Sequence, residues 1–176
     1  MKRSLIPSLL LPLALLTVIA LPRTALAKDG SALSLEKEAS FKEGLSVSDS
    51  IKNECQLQTK IPGFIKDFAK GNFDVTMVDD ASKVKTGNAL AVKITNMTGV
   101  GGGAWTGAKF VQIDGTLWED GKVKGTFQAL RYTTGGAWGG FKGTCGMLGR
   151  CTKSLGKDVA TWLSSPSMNA KLGDAK

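Results

Sequence analysis

A tight hairpin in the second half of the chain constrains the fold more than any other feature of the sequence. Alternating apolar residues lead into the four residues Glu119-Asp120-Gly121-Lys122 and continue after them. Asp-Gly suits a two-residue hairpin turn, because glycine adopts positive φ without a steric penalty. The pattern predicts an antiparallel pair of strands, marked by Val111, Ile113 and Leu117 before the turn and by Val123, Gly125, Phe127 and Ala129 after it.

Helical and extended patterns flank this hairpin. Apolar residues recur at helical spacing from Ile51 to Phe68, with a bend or restart expected at Pro62-Gly63, and they alternate in two further strands around Val75 and Val92. After the hairpin, an apolar stripe predicts an amphipathic last helix with Leu148, Cys151, Leu155, Val159 and Trp162 on one side. We therefore predict an α+β fold, an antiparallel sheet of about four to five strands with the first and the last helix packed on one face.

The first 27 residues are typical of a secretory signal peptide. Lys2 and Arg3 precede an uncharged, Leu-rich run, and Ala25-Leu26-Ala27 supplies the small residues of a cleavage site. Prolines in the run disfavour a membrane anchor, and the first cysteine, Cys55, lies too far along the chain to carry a lipid. We predict a periplasmic or secreted protein with no stable membrane insertion after cleavage. The rest of the chain divides into a flexible lead-in at 28–44, a single α+β domain at 45–170 and a tail at 171–176.

The amino-acid composition excludes some classes of function. The chain has no histidine, so mechanisms that need an imidazole as a base, zinc ligand or pH sensor are excluded. Removal of the signal peptide lowers the net charge from +8 to about +5, and the remaining basic residues are scattered along the chain. We therefore expect no nucleic-acid partner, no metal and no cofactor.

Three cysteines, Cys55, Cys145 and Cys151, are expected to enter an oxidising compartment. If the last helix contains both Cys145 and Cys151, their Cα atoms lie about 9 Å apart, which is too far for a disulfide. A bridge from Cys55 to that helix is then favoured. We prefer Cys55–Cys145, with Cys55–Cys151 as the alternative, and expect the remaining thiol to be structural rather than reactive.

Two near-copies of a glycine-tryptophan motif form the candidate binding surface. Fifteen of the 22 glycines fall between Gly99 and Gly149, where Gly102-Gly103-Ala104-Trp105 precedes the hairpin and Gly135-Gly136-Ala137-Trp138 follows it. Antiparallel pairing of the hairpin would bring both motifs to one end of the sheet. Trp105 and Trp138 would then offer flat apolar surfaces to a sugar ring or a peptide, while the glycines let backbone amides approach it. The alternative is that both indoles simply cover the open end of the sheet.

The sequence contains no evident catalytic set. The run Gly99–Gly103 follows a strand without leading into a helix, so it does not match a phosphate-binding loop. A glycosidase needs two converging carboxylates, and nothing in the spacing of the acids near strand ends and turns brings two of them together. These acids are Asp79, Asp80, Asp114, Glu119 and Asp120. The chain is therefore predicted to bind rather than to catalyse.

Several stretches carry a resemblance to known proteins: residues 54–57 (ECQL), 61–66 (IPGFIK), 102–107 (GGAWTG), 142–151 (KGTCGMLGRC) and 155–160 (LGKDVA). They resemble small uncharacterised exported proteins of Gram-negative bacteria. More distantly, the order of Gly-rich strand start, Asp-Gly-Lys hairpin, Gly-rich loop and last helix is similar to a domain-of-unknown-function family of envelope lipoproteins. That likeness implies an envelope location and the fold of TolB amino-terminal and CsgG-like domains. It transfers no site residues, and the sequence departs from it by lacking the lipidated cysteine.

Together these observations predict an exported, non-enzymatic binding or accessory protein of the bacterial cell envelope. Its expected partner is an envelope protein or a glycan. Two alternatives remain open. One is a hydrolase that acts on an envelope polymer through Asp or Glu, and the other is a structural subunit that joins an envelope assembly through an exposed sheet edge.

Overall fold

The computed structural model describes residues 31–99, 108–133 and 143–176. Within these ranges the chain forms seven strands, three helices and one short 3-10 turn at Ala81–Lys83. The strands are β1 (Ser31–Glu36), β2 (Ser40–Phe41), β3 (Phe73–Val78), β4 (Asn88–Thr98), β5 (Lys109–Glu119), β6 (Lys122–Thr133) and β7 (Ala170–Gly173). The helices are α1 (Asp49–Cys55), α2 (Leu57–Ala69) and α3 (Thr144–Trp162).

The strands form one mixed sheet in the order β3-β1-β4-β5-β6-β7, with β2 also paired to β4. Among the described strands, only two pairings are antiparallel, β4 with β5 and β5 with β6. Strand β1 runs parallel to both β3 and β4, and β6 runs parallel to β7. The α+β class is thus confirmed, while the prediction of an antiparallel sheet of four to five strands is wrong. Hairpins are visible in a sequence because they are local, whereas parallel pairs join segments separated by a crossover.

Both ends of the predicted domain are more ordered than the sequence pattern indicates. Residues 31–36 and 40–41, assigned from sequence to a flexible lead-in, form β1 and β2, and β1 lies between β3 and β4. Its Leu33 and Leu35 are 1% and 0% exposed. The assigned tail contributes most of β7, and the Asp174 amide donates to the Leu130 carbonyl at 2.8 Å. Short strands such as these carry too few residues to show a clear period, so their order depends on partners elsewhere in the chain.

The predicted hairpin is confirmed. Asp120 and Gly121 have φ values of 51° and 75°, the left-handed pair that a type I′ turn requires. The Asp120 carboxylate accepts a hydrogen bond from the Gly87 amide at 2.8 Å, and the Asp120 amide donates to the Gly87 carbonyl at 3.0 Å. The turn is therefore tied to the loop that precedes β4.

The first helical region is interrupted at a different residue from the one expected. The chain breaks at Gln56, which is left-handed with φ 51° and ψ 44°, and Pro62 lies inside α2. Proline has no amide to donate, so the carbonyl four residues earlier in the helix, that of Gln58, loses its helical partner. The Ala39 amide donates to this carbonyl at 2.9 Å. The loop between β1 and β2 thus satisfies the group that proline leaves free, and the helix continues.

The hydrophobic core lies between the three helices and one face of the sheet. The predicted stripe of α3 is buried, and the Phe127 and Trp162 rings meet edge to face with centroids 4.9 Å apart. The helices α2 and α3 approach closely at Gly156, where a Cβ atom would lie 2.5 Å from the Cβ atom of Phe64. The other face of the sheet carries partly exposed polar side chains, including Asp114 and Gln128.

Candidate functional site

A cavity of about 810 Å³ lies between α1, the end of β4 and the start of α3. We call it the α1–α3 cavity. The described residues that line it are Ser46, Val47, Ser48, Ser50, Ile51, Glu54, Cys55, Met97, Gly99, Gly143, Thr144 and Cys145. They come from three segments that are distant in sequence, so the cavity exists only in the folded chain.

The first wall of the α1–α3 cavity is built by the start of α1. Ser48 stands at the N-cap position with an extended backbone, φ −62° and ψ 146°, as serine commonly does before a helix. Its hydroxyl does not cap the helix; instead the Ser48 and Ser50 hydroxyl oxygens lie 3.1 Å apart in a hydrogen bond. The wall therefore presents hydroxyl groups that can both donate and accept hydrogen bonds to a ligand.

A disulfide joins this wall to the opposite one. Cys55, the last residue of α1, is bonded to Cys145 in the first turn of α3, with their Cα atoms 4.8 Å apart. This is the pairing preferred from the sequence, and the argument against a Cys145–Cys151 bridge holds, because both residues lie in α3. Both bonded cysteines line the cavity, so the bridge fixes the distance between the two helices at this point.

The third wall depends on a glycine at the end of β4. A Cβ atom on Gly99 would lie 2.3 Å from Cδ1 of Ile51 and 3.5 Å from Cδ1 of Leu148. Any other residue would therefore displace Ile51 of α1. Glycine lets α1 sit against the end of the sheet and places the Ile51 side chain beside Met97 in the cavity lining.

The chemistry of the α1–α3 cavity suits binding. Ile51 and Met97 supply apolar surface, the α1 hydroxyls supply hydrogen bonds, and Glu54 is the one charged side chain among its described lining residues. A serine nucleophile needs a neighbouring base, and the hydroxyl of Ser48 is bonded to that of Ser50. The described lining therefore fits a molecule with an apolar part and hydrogen-bond donors.

The candidate residues of the glycine-tryptophan motifs, Gly102, Gly103, Trp105, Gly135, Gly136 and Trp138, lie outside the described residues. The strand ends that flank them are neighbours: Thr98 pairs with Phe110, and Lys109 pairs with Thr133. Gly99 precedes the first motif, and Gly143 follows the second. Both glycines line the α1–α3 cavity. The role of the motifs in binding stays a prediction.

The five acids considered for catalysis each have a structural partner, and Asp114 accepts a hydrogen bond from the Thr95 hydroxyl at 3.3 Å. Asp79 pairs with Lys37, and Glu119 pairs with Lys124. Asp120 holds the hairpin, as described above. Asp80 accepts hydrogen bonds from the Ser82 amide and hydroxyl, and the Ser82 hydroxyl together with Lys83 lowers the Asp80 pKa.

A second, smaller groove lies on the polar face of the sheet and contains two acids. It has a volume of about 400 Å³ and is lined in part by Glu36, Lys93, Asp114 and Trp118. Partial burial raises the pKa of Glu36, Asp80 raises it further, and a hydrogen bond from the Ala81 amide at 3.1 Å opposes the change. We call this the Glu36 groove. It combines a carboxyl group whose pKa is raised with a second carboxyl group and an indole.

The free thiol of Cys151 lies in the core. The residue is 2% exposed, and its Sγ atom contacts the Lys109 carbonyl oxygen at 3.8 Å. Burial raises the pKa of this thiol to about 11, and the negative charge of Asp174 contributes. The thiolate, which is the reactive form, is therefore disfavoured, as expected for a structural cysteine.

Comparison with known proteins identifies a fold but no family. No family model and no curated protein matches the chain. The crystal structure of an uncharacterised protein is similar with a TM-score of 0.50 and 11% identity, covering 77% of this chain and 91% of that one. A DUF330 protein of Xanthomonas campestris has a TM-score of 0.41 and 11% identity, with coverage of 81% and 88%. A homologue of the neuraminyllactose-binding hemagglutinin from Helicobacter pylori has a TM-score of 0.36 and 10% identity, with coverage of 78% and 85%.

The first of these similarities shows a shared fold with an uncharacterised protein, and the other two are too weak to support an argument. Within the described residues, no helix is long and apolar enough to cross a membrane.

Most residues of the α1–α3 cavity could not be recognised from the sequence. Ile51 was expected only as one of the apolar positions of the first helical region. The one usable signal was Gly99, because a glycine directly after a strand often marks a close approach of another element. The residue that makes that approach is 48 positions earlier in the chain.

Proposed function

We propose that this protein is an exported, non-enzymatic binding or accessory protein of the bacterial cell envelope and that the α1–α3 cavity holds its ligand. The observation that carries the proposal is a cavity of about 810 Å³ whose two helical walls are linked by the Cys55–Cys145 disulfide. Binding sites are commonly concave, largely pre-formed and mixed in polarity, and a covalent link preserves such a shape without a ligand.

The ligand class follows from the described lining. Ile51 and Met97 would cover an apolar group, and the Ser48 and Ser50 hydroxyls with the Glu54 carboxylate would receive hydrogen-bond donors. Glu54 also disfavours an anionic group near it. A neutral or cationic amphipathic molecule, or a peptide segment with that character, fits these requirements.

An envelope location is supported by the signal-peptide pattern at the start of the chain and by the disulfide. Disulfides form and persist mainly outside the reducing cytoplasm. The glycine-tryptophan motifs belong to the same proposal, because their flanking residues Gly99 and Gly143 line the α1–α3 cavity.

The test is capture of ligands from an envelope extract by the tagged protein, with a cavity-filling variant as comparison. Ser50→Trp places an indole on the lining of the cavity. Asn53→Trp adds the same side chain at an exposed position of α1 outside that lining and serves as the matched control. We expect the captured molecules to be lost with Ser50→Trp and kept with Asn53→Trp, while the far-UV circular dichroism of both matches wild type. Equal capture by both variants would remove the cavity from the proposal.

The glycine-tryptophan motifs have their own test. Replacing Trp105 and Trp138 together by alanine is expected to abolish capture and to leave the thermal unfolding transition largely unchanged. If the double variant instead fails to fold, the indoles belong to the core, and the motifs are not a contact surface.

A second function, hydrolysis of an envelope polymer, is favoured by the Glu36 groove. There a carboxyl group with a raised pKa shares a groove with Asp114, which resembles the division between general acid and second carboxylate in glycosidases. Incubation with purified peptidoglycan, followed by chromatography of released fragments, tests this function. Release that is lost in Glu36→Gln and kept in Glu119→Gln would replace the binding proposal with an enzymatic one, and no release by wild type would dismiss it.

A further inference from the structure

The outer edge of β3 is unusually open to pairing. β3 is the last strand on its side of the sheet and has no further strand beside it among the described residues. Its six residues pair with β1 in one continuous register from Phe73 to Val78, without a bulge. The sequence FDVTMV contains no lysine and no proline, the residues that commonly protect an edge strand from other chains.

The direction of the backbone groups identifies which residues can bond outward. The Lys37 amide donates to the Val78 carbonyl at 2.9 Å, so the backbone groups of Val78 point towards β1. Successive residues of a strand point to opposite sides, which turns the amides and carbonyls of Phe73, Val75 and Met77 away from β1. Three donors and three acceptors are thus presented along this edge.

Antiparallel pairing of β3 with itself satisfies these groups in one register. With Val75 opposite Val75 of a second copy, Phe73 lies opposite Met77 and Asp74 opposite Thr76. The three outward-facing pairs exchange about six hydrogen bonds. On the helix side the facing residues are all apolar, and on the other side an aspartate faces a hydroxyl, which is a favourable cross-strand neighbour.

The neighbouring registers are worse for reasons of charge and polarity. A shift in one direction places Asp74 opposite Asp74, and like charges directly opposite destabilise a strand pair. A shift in the other direction places Phe73 opposite Asp79, an exposed carboxylate that is paired with Lys37. The charge pattern of this edge therefore selects the register centred on Val75.

We propose that the protein forms a two-fold symmetric dimer through β3, paired antiparallel with β3 of a second copy in the register that places Val75 opposite Val75. The two sheets become one continuous sheet. The occupant of the edge is a second copy because the strand is complementary to itself in apolar contacts, charge and hydrogen bonding together. The inference is independent of the ligand proposed for the α1–α3 cavity, because none of the β3 residues lines it.

Cysteine cross-linking tests the register directly. In a hydrogen-bonded antiparallel pair the Cα atoms lie about 5.5 Å apart, within the range of a disulfide. Val75→Cys should therefore give a disulfide-linked dimer under mild oxidation on a non-reducing gel. Thr76→Cys is the matched control, since in this register its two copies are displaced by two positions and lie beyond the limit of roughly 7 Å. Linking of Thr76→Cys in preference to Val75→Cys, or of neither, would overturn the proposal.

Sedimentation velocity supplies a test without added cysteines. The wild-type chain should show a concentration-dependent monomer–dimer equilibrium. Val75→Pro removes an outward amide on each copy but no bond to β1, a position where an edge strand tolerates proline. It should weaken the dimer at least about tenfold. Met77→Lys provides a second test without a backbone change, because it sets a lysine opposite Phe73. A wild-type chain that stays monomeric at every concentration, or variants that dimerise as well as wild type does, would refute the proposal.

Discussion

The two ends of helix α3 are held in place by different means. At its start, Cys145 is joined covalently to α1 beside a cavity of about 810 Å³. At its end, Trp162 packs against Phe127, and Asp158 forms a bidentate ion pair with Arg131 at 2.6 and 2.7 Å. Among the described residues, the covalent link thus lies beside a cavity, and side-chain packing with an ion pair holds the opposite end. A covalent bond can join two helices where side chains do not fill the space between them.

We expect the greatest loss of stability from a change at the packed end of α3. Trp162→Ala removes a side chain that is 7% exposed and its contact with Phe127. The loss should lower the free energy of unfolding by about 3–5 kcal/mol, measured by urea denaturation. Trp118→Ala, on the partly exposed face of the sheet, is the matched control and should cost much less. If the two variants lose equal stability, the end of α3 is not the better-packed region.

The disulfide at the other end should have the next largest effect. Replacing Cys55 and Cys145 together by serine should cost about 2–4 kcal/mol, because the bridge restricts the unfolded chain. Hydrogen exchange should quicken in α1 and in the first turn of α3, while the turn around Val159 stays protected. Uniform acceleration along α3 would show that the bridge supports the whole helix. Peptide mapping of the non-reduced wild-type chain provides the control, since it should recover Cys55 bonded to Cys145.

The ion pair at the packed end should contribute less to stability than the disulfide does. Arg131 bonds Asp158 twice and also lies 3.3 Å from Asp174, which links α3, β6 and the residue after β7. Arg131→Ala should cost about 2 kcal/mol, because the Asp158 carboxylate is left partly buried without its partner. The hydrogen-exchange rate should increase most at the backbone amides of β7. Lys153→Ala, at an exposed position of α3, is the control, and the same loss in both variants would contradict a specific role for the pair.

The smallest expected effect is a pH dependence from the middle of the helix. The pKa of Cys151 is raised from 9.0 to about 11, so the folded state holds this proton more tightly than the unfolded state. Its contribution to stability is complete below about pH 9 and is lost as the pH rises towards 11. At pH 10 the wild-type chain should have lost about 1.4 kcal/mol more than Cys151→Ala, relative to pH 8. If the free energy of unfolding changes equally with pH in the two chains, the thiol does not contribute to the pH dependence of stability.

The elements that could be predicted are those whose signal is local. The Asp120-Gly121 turn and the stripe of α3 depend on residues within a few positions of one another, and both are found as predicted. β1 and β7 were missed because four to six residues show no clear period and their partners are remote. The break at Gln56 was not predicted, because proline is the usual signal of a helix break and the expected bend was therefore assigned to Pro62. Here the Ala39 amide compensates for Pro62, and that contact is invisible in the sequence.

The candidate sites also differ in whether they depend on local sequence or on contacts between remote segments. Helix geometry excluded a Cys145–Cys151 bridge and favoured one from Cys55, whereas the choice of Cys145 over Cys151 was a preference that the structure confirms. The α1–α3 cavity could not, because its walls come from residues near 50, 99 and 145 that only the folded chain brings together. The same holds for the Glu36 groove, where the pKa of Glu36 depends on burial and on its neighbours Asp80 and Ala81.

The hairpin, the last helix, the exclusion of a Cys145–Cys151 bridge and the lack of imidazole chemistry could be read from the sequence, since each depends on residue type or on short-range geometry. The parallel strands, the open edge of β3, the partner of Cys55 and the cavity beside the disulfide became visible only in the folded chain. Pairing across a crossover and the space between packed elements are properties of the whole arrangement, which no short stretch of sequence specifies.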